Sequence, residues 1–133
     1  MNLYRPLHAT TAVLLGLFGA AHIGYGETLL VEQITATGAG ESLVGSLRVM
    51  SLQGGLMLWL AAGMHLNAAL GRCKLVGALG RIPIAIMGFQ LLGFLVIASL
   101  AHPALFGIAA PQLGFFALLM GLQFYLTRLH PPA

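Results

Sequence analysis

An arginine inside an apolar segment is the residue of this chain with the clearest capacity for chemistry. Arg48 falls about six residues, or roughly 9 Å of helix, past the start of an apolar stretch over residues 42–70. An arginine at the centre of a membrane helix costs about 2.5–3.5 kcal/mol, and less near the surface, where the side chain extends toward water. His22 and Glu27 fall at the same predicted level, on and just after the preceding apolar stretch.

These three side chains, named here the outer cluster, have two interpretations. As imidazole, carboxylate and guanidinium groups at one level, they are candidate ligand-binding residues for an anionic headgroup, a quinone or a partner's carboxylate. In the simpler interpretation, Arg48 reaches the membrane surface or pairs locally, and its role is structural. Both stay open, because the cluster depends on matched depth and not on a motif.

The histidines raise the question of a cofactor. Membrane cytochromes hold a b-type haem between histidines of two spans at one depth. His65 is expected near the opposite membrane surface from His22, where only His8 matches its depth, and His102 precedes a proline in a turn. Interfacial or hydrogen-bonded histidines are the simpler interpretation. The cofactor is therefore unknown at this stage, with haem or quinone as options.

Metal and catalytic signatures are not visible in the sequence. Met50, Met57 and Met64 recur every seven residues, but a heptad spans about 10.5 Å of helix, too far for three thioethers to share one Cu(I) ion. No HExxH motif, GxSxG serine or aspartate pair is present. The single Cys73 excludes an internal disulfide and a CxxC redox centre. We predict no metal site and no catalytic residue, which favours a non-enzymatic protein without deciding the question.

Composition predicts a membrane protein. The chain is 59% hydrophobic and only 7% charged, whereas soluble domains carry about 25% charged residues. Between Ile82 and Thr127 there is no Asp, Glu, Lys or Arg, which leaves enough apolar chain for two helical spans of about 20 residues. The net charge of +3 is small, and its position at helix ends indicates lipid contact and not nucleic-acid binding.

The apolar stretches predict an all-α integral membrane four-helix bundle, a single transmembrane domain over residues 1–133. The predicted spans are 7–24, 42–70, 81–100 and 105–129. Gly24-Tyr25-Gly26 is expected to end the first span, and residues 27–40 to form a short interfacial helix before the second. Pro111 is expected either in the first turn of the fourth span or at a kink.

Loop charges predict the orientation. Arg5, Arg72, Lys74, Arg81 and Arg128 fall on one side, and Glu27, Glu32 and Glu41 on the other. Because basic loops stay on the cytoplasmic side, both termini are expected in the cytoplasm.

Small residues at heptad-like spacing predict close helix packing. The predicted helix-packing residues of the fourth span are Gly107, Ala110, Gly114, Ala117 and Gly121. Those of the second span are Ser51, Gly55 and Ala62. Such seams form either the bundle itself or an interface to a partner.

Two stretches, AAHIGYGETLLVEQI (20–34) and SLRVMSLQGGLMLWLAAGMHL (46–66), resemble small bacterial four-span inner-membrane proteins. In that group a histidine closes span one, a Gly-Glu pair follows and an arginine enters span two, matching His22, Gly26-Glu27 and Arg48. The size and layout are also similar to DoxX-like proteins. The resemblance covers about half of the chain, and implies a four-helix fold and a bacterial inner membrane but no activity.

The leading functional hypothesis is a non-enzymatic accessory or scaffold subunit of a larger membrane complex. One alternative is a quinone-, lipid- or haem-binding membrane module with an outer-side pocket, and another is a small-solute transporter. The expected partners are the lipid bilayer and a larger membrane protein complex or a second copy of the chain, with no nucleic acid.

Overall fold

A computed structural model describes residues 3–103 and 105–129, except for the side chains of residues 108 and 109. Within these residues the chain forms helices and turns without a strand, which confirms the all-α prediction. The elements are α1 (Tyr4–Tyr25), a π-helical segment (Gly26–Val31), α2 (Glu32–Ala36), α3 (Glu41–Ala69), α4 (Gly77–Leu100) and α5 (Leu105–Leu126).

Three helices are long and apolar enough to cross a membrane. They are Tyr4–Ala36, in which α1, the π segment and α2 form one continuous helix, then Glu41–Ala69 and Gly77–Leu100. The apolar stretch of α5, Ala110–Leu126, is shorter. Length and composition therefore make a membrane location possible for three of the four predicted spans, and α5 adds a further apolar helix to the bundle.

The predicted end of the first span at Gly24-Tyr25-Gly26 is wrong. Gly26 has ordinary helical dihedral angles, with φ −60° and ψ −45°, and the helix continues through it. Gly26 instead allows α3 to approach closely, because a Cβ atom on Gly26 would overlap the Ser51 side chain on α3. The predicted separate interfacial helix is consequently the far end of the first long helix.

The other boundaries move by a few residues. α4 begins at Gly77, four residues before the predicted start, and Pro83 lies inside it. α5 ends at Leu126 and contains Pro111 beyond its first turn.

The most extensive helix contact in the described chain joins α1 and α3. At its centre, the Gly19 and Gly55 backbones cross so closely that a Cβ atom on Gly55 would lie 2.9 Å from the Gly19 carbonyl oxygen. The Trp59 indole N–H donates to the Gly16 carbonyl oxygen at 3.0 Å across the same contact. Ser51, Gly55 and Ala62, three of the predicted helix-packing residues, are buried on the α3 face.

Around this crossing, α4 and α5 complete an apolar core. Its buried members are Leu15, Leu58, Ala61, Ala62, Met87 and Leu119. Phe18 of α1 meets Phe115 and Phe116 of α5 edge to face, with ring centroids 5.2 Å apart in both pairs.

The small residues predicted to pack the fourth span, named here the α5 seam, lie on the outward face of the bundle. Gly107, Ala110, Gly114, Ala117 and Gly121 are all exposed. A Cβ atom on any of the three glycines would meet no atom within 4 Å. The seam therefore adds no packing within the described chain, and its role as an interface to another protein stays a prediction.

The α1–α3 crossing predicts that two alanine substitutions on α3 differ in their effect on the free energy of unfolding. Gly55→Ala should destabilise the protein by about 1–3 kcal/mol, because the new methyl group meets the Gly19 carbonyl, which belongs to backbone and cannot rotate away. Gly63→Ala lies on the same helix with open space around it, and should be neutral or stabilising by up to about 1 kcal/mol. Unfolding in detergent micelles measures both; equal effects would contradict the close crossing.

Candidate functional site

Polar side chains collect at the two ends of the bundle. The Glu27 end holds the π segment and the start of α3, and the Tyr4 end holds the start of α1, the end of α3 and the turn that follows it. The two ends are separated by about two heptads of helix, or roughly 21 Å. Each end contains one group of polar side chains that could bind a ligand or take part in chemistry.

At the Glu27 end, two members of the outer cluster are in contact. Arg48 Nε donates to Glu27 Oε2 at 2.9 Å, and the pair is an ion pair with side chains 54% and 31% exposed. Glu27 lies in the first turn of the π segment. Its second carboxylate oxygen, Oε1, is buried and has no hydrogen-bond partner within the described chain. The ion pair therefore fastens the π segment to the start of α3.

The third member, His22, is placed differently. Its imidazole lies over the bare backbone of Gly54 on α3, where a Cβ atom would overlap His22 Nε2. Within the described residues, His22 makes no hydrogen bond and no ion pair with Glu27 or Arg48. The three predicted ligand-binding residues consequently do not form one group: Arg48 and Glu27 pair, and His22 faces elsewhere.

His22 faces two adjoining cavities of about 350 and 330 Å³. Both cavities are lined by His22, Met50, Phe94 and Gln112. The helices α1, α3, α4 and α5 therefore all contribute to the walls. Most of the remaining lining is apolar, including Phe18, Leu30, Leu47 and Leu105. The lining residues include neither Arg48 nor Glu27.

The hydrogen-bonding groups in the walls of these cavities are uncharged. They are an imidazole, amides, a phenol and a hydroxyl, belonging to His22, Gln90, Gln112, Tyr25 and Ser51. The Gln90 amide already donates to the Gly54 carbonyl at 3.0 Å, and His22 has no partner within the described chain. The sequence identified His22 as a candidate but did not predict that Gln90 and Gln112 lie near it. Spacing along the chain gives the depth of a residue in the membrane, but not how each helix is rotated about its axis.

At the Tyr4 end, two histidines are in direct contact inside the bundle. His8 Nδ1 of α1 and His65 Nδ1 of α3 are 2.7 Å apart, so one of them donates a hydrogen bond to the other. Both side chains are buried, at 0% and 2% exposure. The shared depth of His8 and His65 was the signal available in the sequence, and the structure brings the two together.

Aromatic and amide groups surround the histidine pair. The Tyr4 ring meets the edge of the His8 ring at a centroid distance of 4.3 Å, and the Tyr4 hydroxyl accepts a hydrogen bond from the Leu75 N–H at 2.8 Å. That bond holds the turn after α3 against α1 and covers the pair. On the other side, the buried Gln123 amide donates to the Met87 thioether at 2.7 Å.

This geometry bears on cofactors and metals. A haem needs its two histidine nitrogens on opposite faces of one iron, but here the two nitrogens are hydrogen-bonded to each other, with ring centroids 4.9 Å apart. Among the described residues there is also no group of three or more histidine, cysteine or acidic side chains able to share a metal ion.

The Glu27–Arg48 ion pair should contribute little to stability. Because both side chains are partly exposed, a double-mutant cycle with Glu27→Gln and Arg48→Gln should give a coupling energy of about 0.2–1 kcal/mol that falls as salt is added. Unfolding in detergent at low and high salt measures it. A salt-independent coupling above about 2 kcal/mol would mean that the pair is shielded from water.

Comparison with protein-family models, with curated proteins and with solved structures finds no match for this chain. The resemblance to small four-span bacterial proteins therefore stays a prediction.

Proposed function

We propose that the protein is a small, non-enzymatic integral membrane protein that binds an isoprenoid quinone in the cavities at the Glu27 end. The observation that carries this proposal is the shared wall of His22, Gln112, Met50 and Phe94, which joins two cavities of lipid-like lining around neutral polar groups. Ligand pockets of about 300–1,000 Å³ with mostly apolar walls and few polar groups are typical of small-molecule sites.

The head of the ligand is inferred from the polar groups. A quinone head carries two carbonyl oxygens and no charge, so it needs neutral hydrogen-bond donors. The His22 imidazole and the Gln112 amide supply such donors, and neither is engaged within the described chain. An anionic lipid headgroup would need a cation on the wall, but Arg48 is already paired with Glu27 and does not line either cavity. These two facts favour a quinone over a phosphate-bearing lipid.

The tail of the ligand is inferred from where the cavities open. Met50 and Phe89 line the cavities and are also 61% and 75% exposed, so the opening lies on the outward, apolar surface of the bundle. In a bilayer that surface faces the lipid chains. A ligand with a long hydrocarbon tail can therefore enter sideways and leave its tail among the lipids, without crossing the polar ends.

The proposal includes an orientation in the membrane, which follows from the positions of the lysine and arginine residues. Five of the six lysine and arginine residues, all but Arg48, fall at the Tyr4 end in the sequence, and Arg5 lies against Gly71 of the turn after α3. By the positive-inside rule this end, with both termini, faces the cytoplasm of a bacterial inner membrane, and the cavities open in the outer leaflet.

A bulky side chain at the cavity wall should weaken quinone binding. Met50→Trp should weaken binding of decylubiquinone by about tenfold or more, because the indole fills space that both cavities share. Met57→Trp is the matched control: it lies one heptad further along α3, is also exposed and lines neither cavity. Quenching of protein fluorescence by the quinone in detergent gives both dissociation constants.

Organic extraction of protein purified from its native membrane provides the second readout. Quinone in the extract of wild type and Met57→Trp, with much less in Met50→Trp, supports the proposal. An extract that contains phospholipid but no quinone, or equal quinone in all three proteins, contradicts it.

A second function, an accessory subunit of a larger membrane complex, is favoured by the α5 seam. A row of small residues on an outward helix face lets another helix approach closely in lipid, and no part of the described chain covers this row. The two functions are compatible, since the seam and the cavities occupy different surfaces.

Replacing two seam glycines tests the subunit function. Gly114→Ile combined with Gly121→Ile should release the protein from any larger assembly, because branched side chains keep a partner helix at a greater distance. Gly45→Ile, on an exposed part of α3 with nothing within 4 Å, is the control. Native gel electrophoresis of mild detergent extracts measures assembly size. An assembly that survives the double substitution would contradict a seam interface.

A further inference from the structure

A small apolar cluster closes the Tyr4 end of the bundle. Its buried members are Tyr4, Ala68 and Leu75, and Met64, Cys73 and Leu129 pack against them. The cluster thus joins the first turn of α1, the last turns of α3, the turn that follows α3 and the residues just after α5. Separate segments of the chain meet at this one point, and the lysine and arginine residues of this end lie beside the apolar residues that meet.

The turn after α3 directs two basic side chains outward. Leu75 is buried in the cluster, and the Cys73 thiol donates to the Met64 carbonyl oxygen at 3.9 Å, so that it also points inward. Arg72 and Lys74 alternate with these two residues and are both exposed. The inward residues therefore anchor the turn and fix the positions from which Arg72 and Lys74 reach out.

Two further arginines adjoin the cluster through their neighbours in the chain. Arg5 follows the buried Tyr4, and a Cβ atom on Gly71 would lie 2.9 Å from a nitrogen of the Arg5 guanidinium group. The Arg5 side chain therefore lies on the same turn. Arg128 precedes Leu129, which packs against the cluster at the end of α5. Both arginine side chains are exposed.

The fifth basic residue, Arg81, is placed by the start of α4. A Cβ atom on the preceding residue, Gly80, would lie 2.7 Å from the Leu75 carbonyl oxygen and 3.2 Å from the Thr127 side chain. The first turn of α4 is thus packed between the turn after α3 and the end of α5. Arg81 is exposed as well, so five basic side chains from four segments border one small apolar cluster. They are named here the basic rim.

No acidic side chain balances the basic rim. The three acidic residues of the sequence are Glu27, Glu32 and Glu41, and all of them belong to the Glu27 end. Within the described chain, the single ion pair joins Glu27 to Arg48. Like charges gathered at one end repel one another, and arginine keeps its charge at any physiological pH. A bound anion from outside the chain would relieve this repulsion.

We infer that the basic rim binds an anionic phospholipid, whose phosphate group lies among the basic side chains. Guanidinium groups donate paired hydrogen bonds to phosphate oxygens. Basic clusters beside membrane helices attract anionic lipids, with a gain of about fivefold in affinity for each basic residue near the surface. Such a site needs the membrane location proposed above, but not quinone binding.

The apolar surroundings of the basic rim favour a lipid over a soluble phosphate compound. Leu70, Leu79 and Phe124 lie within four residues of a basic residue of the rim, and all three are exposed. A lipid whose phosphate binds the rim can place its acyl chains along these side chains, whereas a nucleotide or a nucleic acid would leave them bare.

Lipid titration of the full chain tests the site. Purified protein in a neutral detergent is mixed with dioleoylphosphatidylglycerol or with dioleoylphosphatidylcholine, and native mass spectrometry counts the lipids that each protein retains. Wild type should retain phosphatidylglycerol at concentrations where it does not retain phosphatidylcholine. Arg72→Gln and Lys74→Gln should each weaken binding of phosphatidylglycerol by about fivefold, and the double variant by about 30-fold.

Two control variants leave the basic rim intact. Arg48→Gln removes one positive charge at the opposite end, and Met50→Trp fills the cavities of the proposed quinone site. Both should bind phosphatidylglycerol as wild type does, even if quinone binding is lost. Equal retention of the two lipids by wild type, or equal weakening in Arg48→Gln and Arg72→Gln, would overturn the proposal, because binding would then not depend on the rim.

Thermal unfolding of the wild-type protein guards against variants that fail to fold. Phosphatidylglycerol should raise the midpoint of unfolding, because it binds the folded protein, and added salt should reduce this gain. Inorganic phosphate should leave the midpoint unchanged. A gain from inorganic phosphate or from a short RNA that equals the gain from the lipid would indicate a soluble ligand and would contradict a lipid site.

Discussion

The close crossing of α1 and α3 is the contact on which the rest of the structure depends. Where two helices lack side chains at their crossing, their backbones approach until a carbonyl of each lies against the other, as at Gly19 and Gly55. In lipid there is no hydrophobic driving force between apolar helices, so packing and polar contacts of this kind determine which helices pair. The Trp59–Gly16 and Ser51–Gly26 contacts extend the same interface on either side of the crossing.

This pairing also explains why the two ends differ. α1 places His8, Leu15 and His22 one heptad apart, and α3 places Ser51, Leu58 and His65 in the same way, so that each level of the interface faces its counterpart. At the Tyr4 level, α5 contributes Gln123 and the site is filled by polar groups. At the Glu27 level the imidazole of His22 rests on Gly54, and the space toward α4 and α5 stays open as the two cavities.

The sequence predicted the helices well, since apolar length is a direct consequence of the solvent that surrounds them. The predicted helix end at Gly24-Tyr25-Gly26 was wrong. A glycine can end a helix or allow another helix to approach closely, and only the position of Ser51 against Gly26 shows that the second role applies here. The sequence matched Arg48 to Glu27 and His8 to His65 by depth, which is a property of spacing. It could not place Gln112 beside His22 or turn the α5 seam outward, because both depend on how each helix rotates within the bundle.

The apolar layer between the two ends sets a limit on any function that links them. Leu15, Leu58 and Leu119 are buried at 0–1% exposure, and the described residues of this layer offer no titratable group. A proton or a hydrated solute would have to cross roughly 10 Å of hydrocarbon between the cavities and the histidine pair. A quinone bound near His22, as proposed, would therefore exchange protons with the Glu27 side only. The apolar layer therefore separates the cavities at the Glu27 end from the histidine pair at the Tyr4 end.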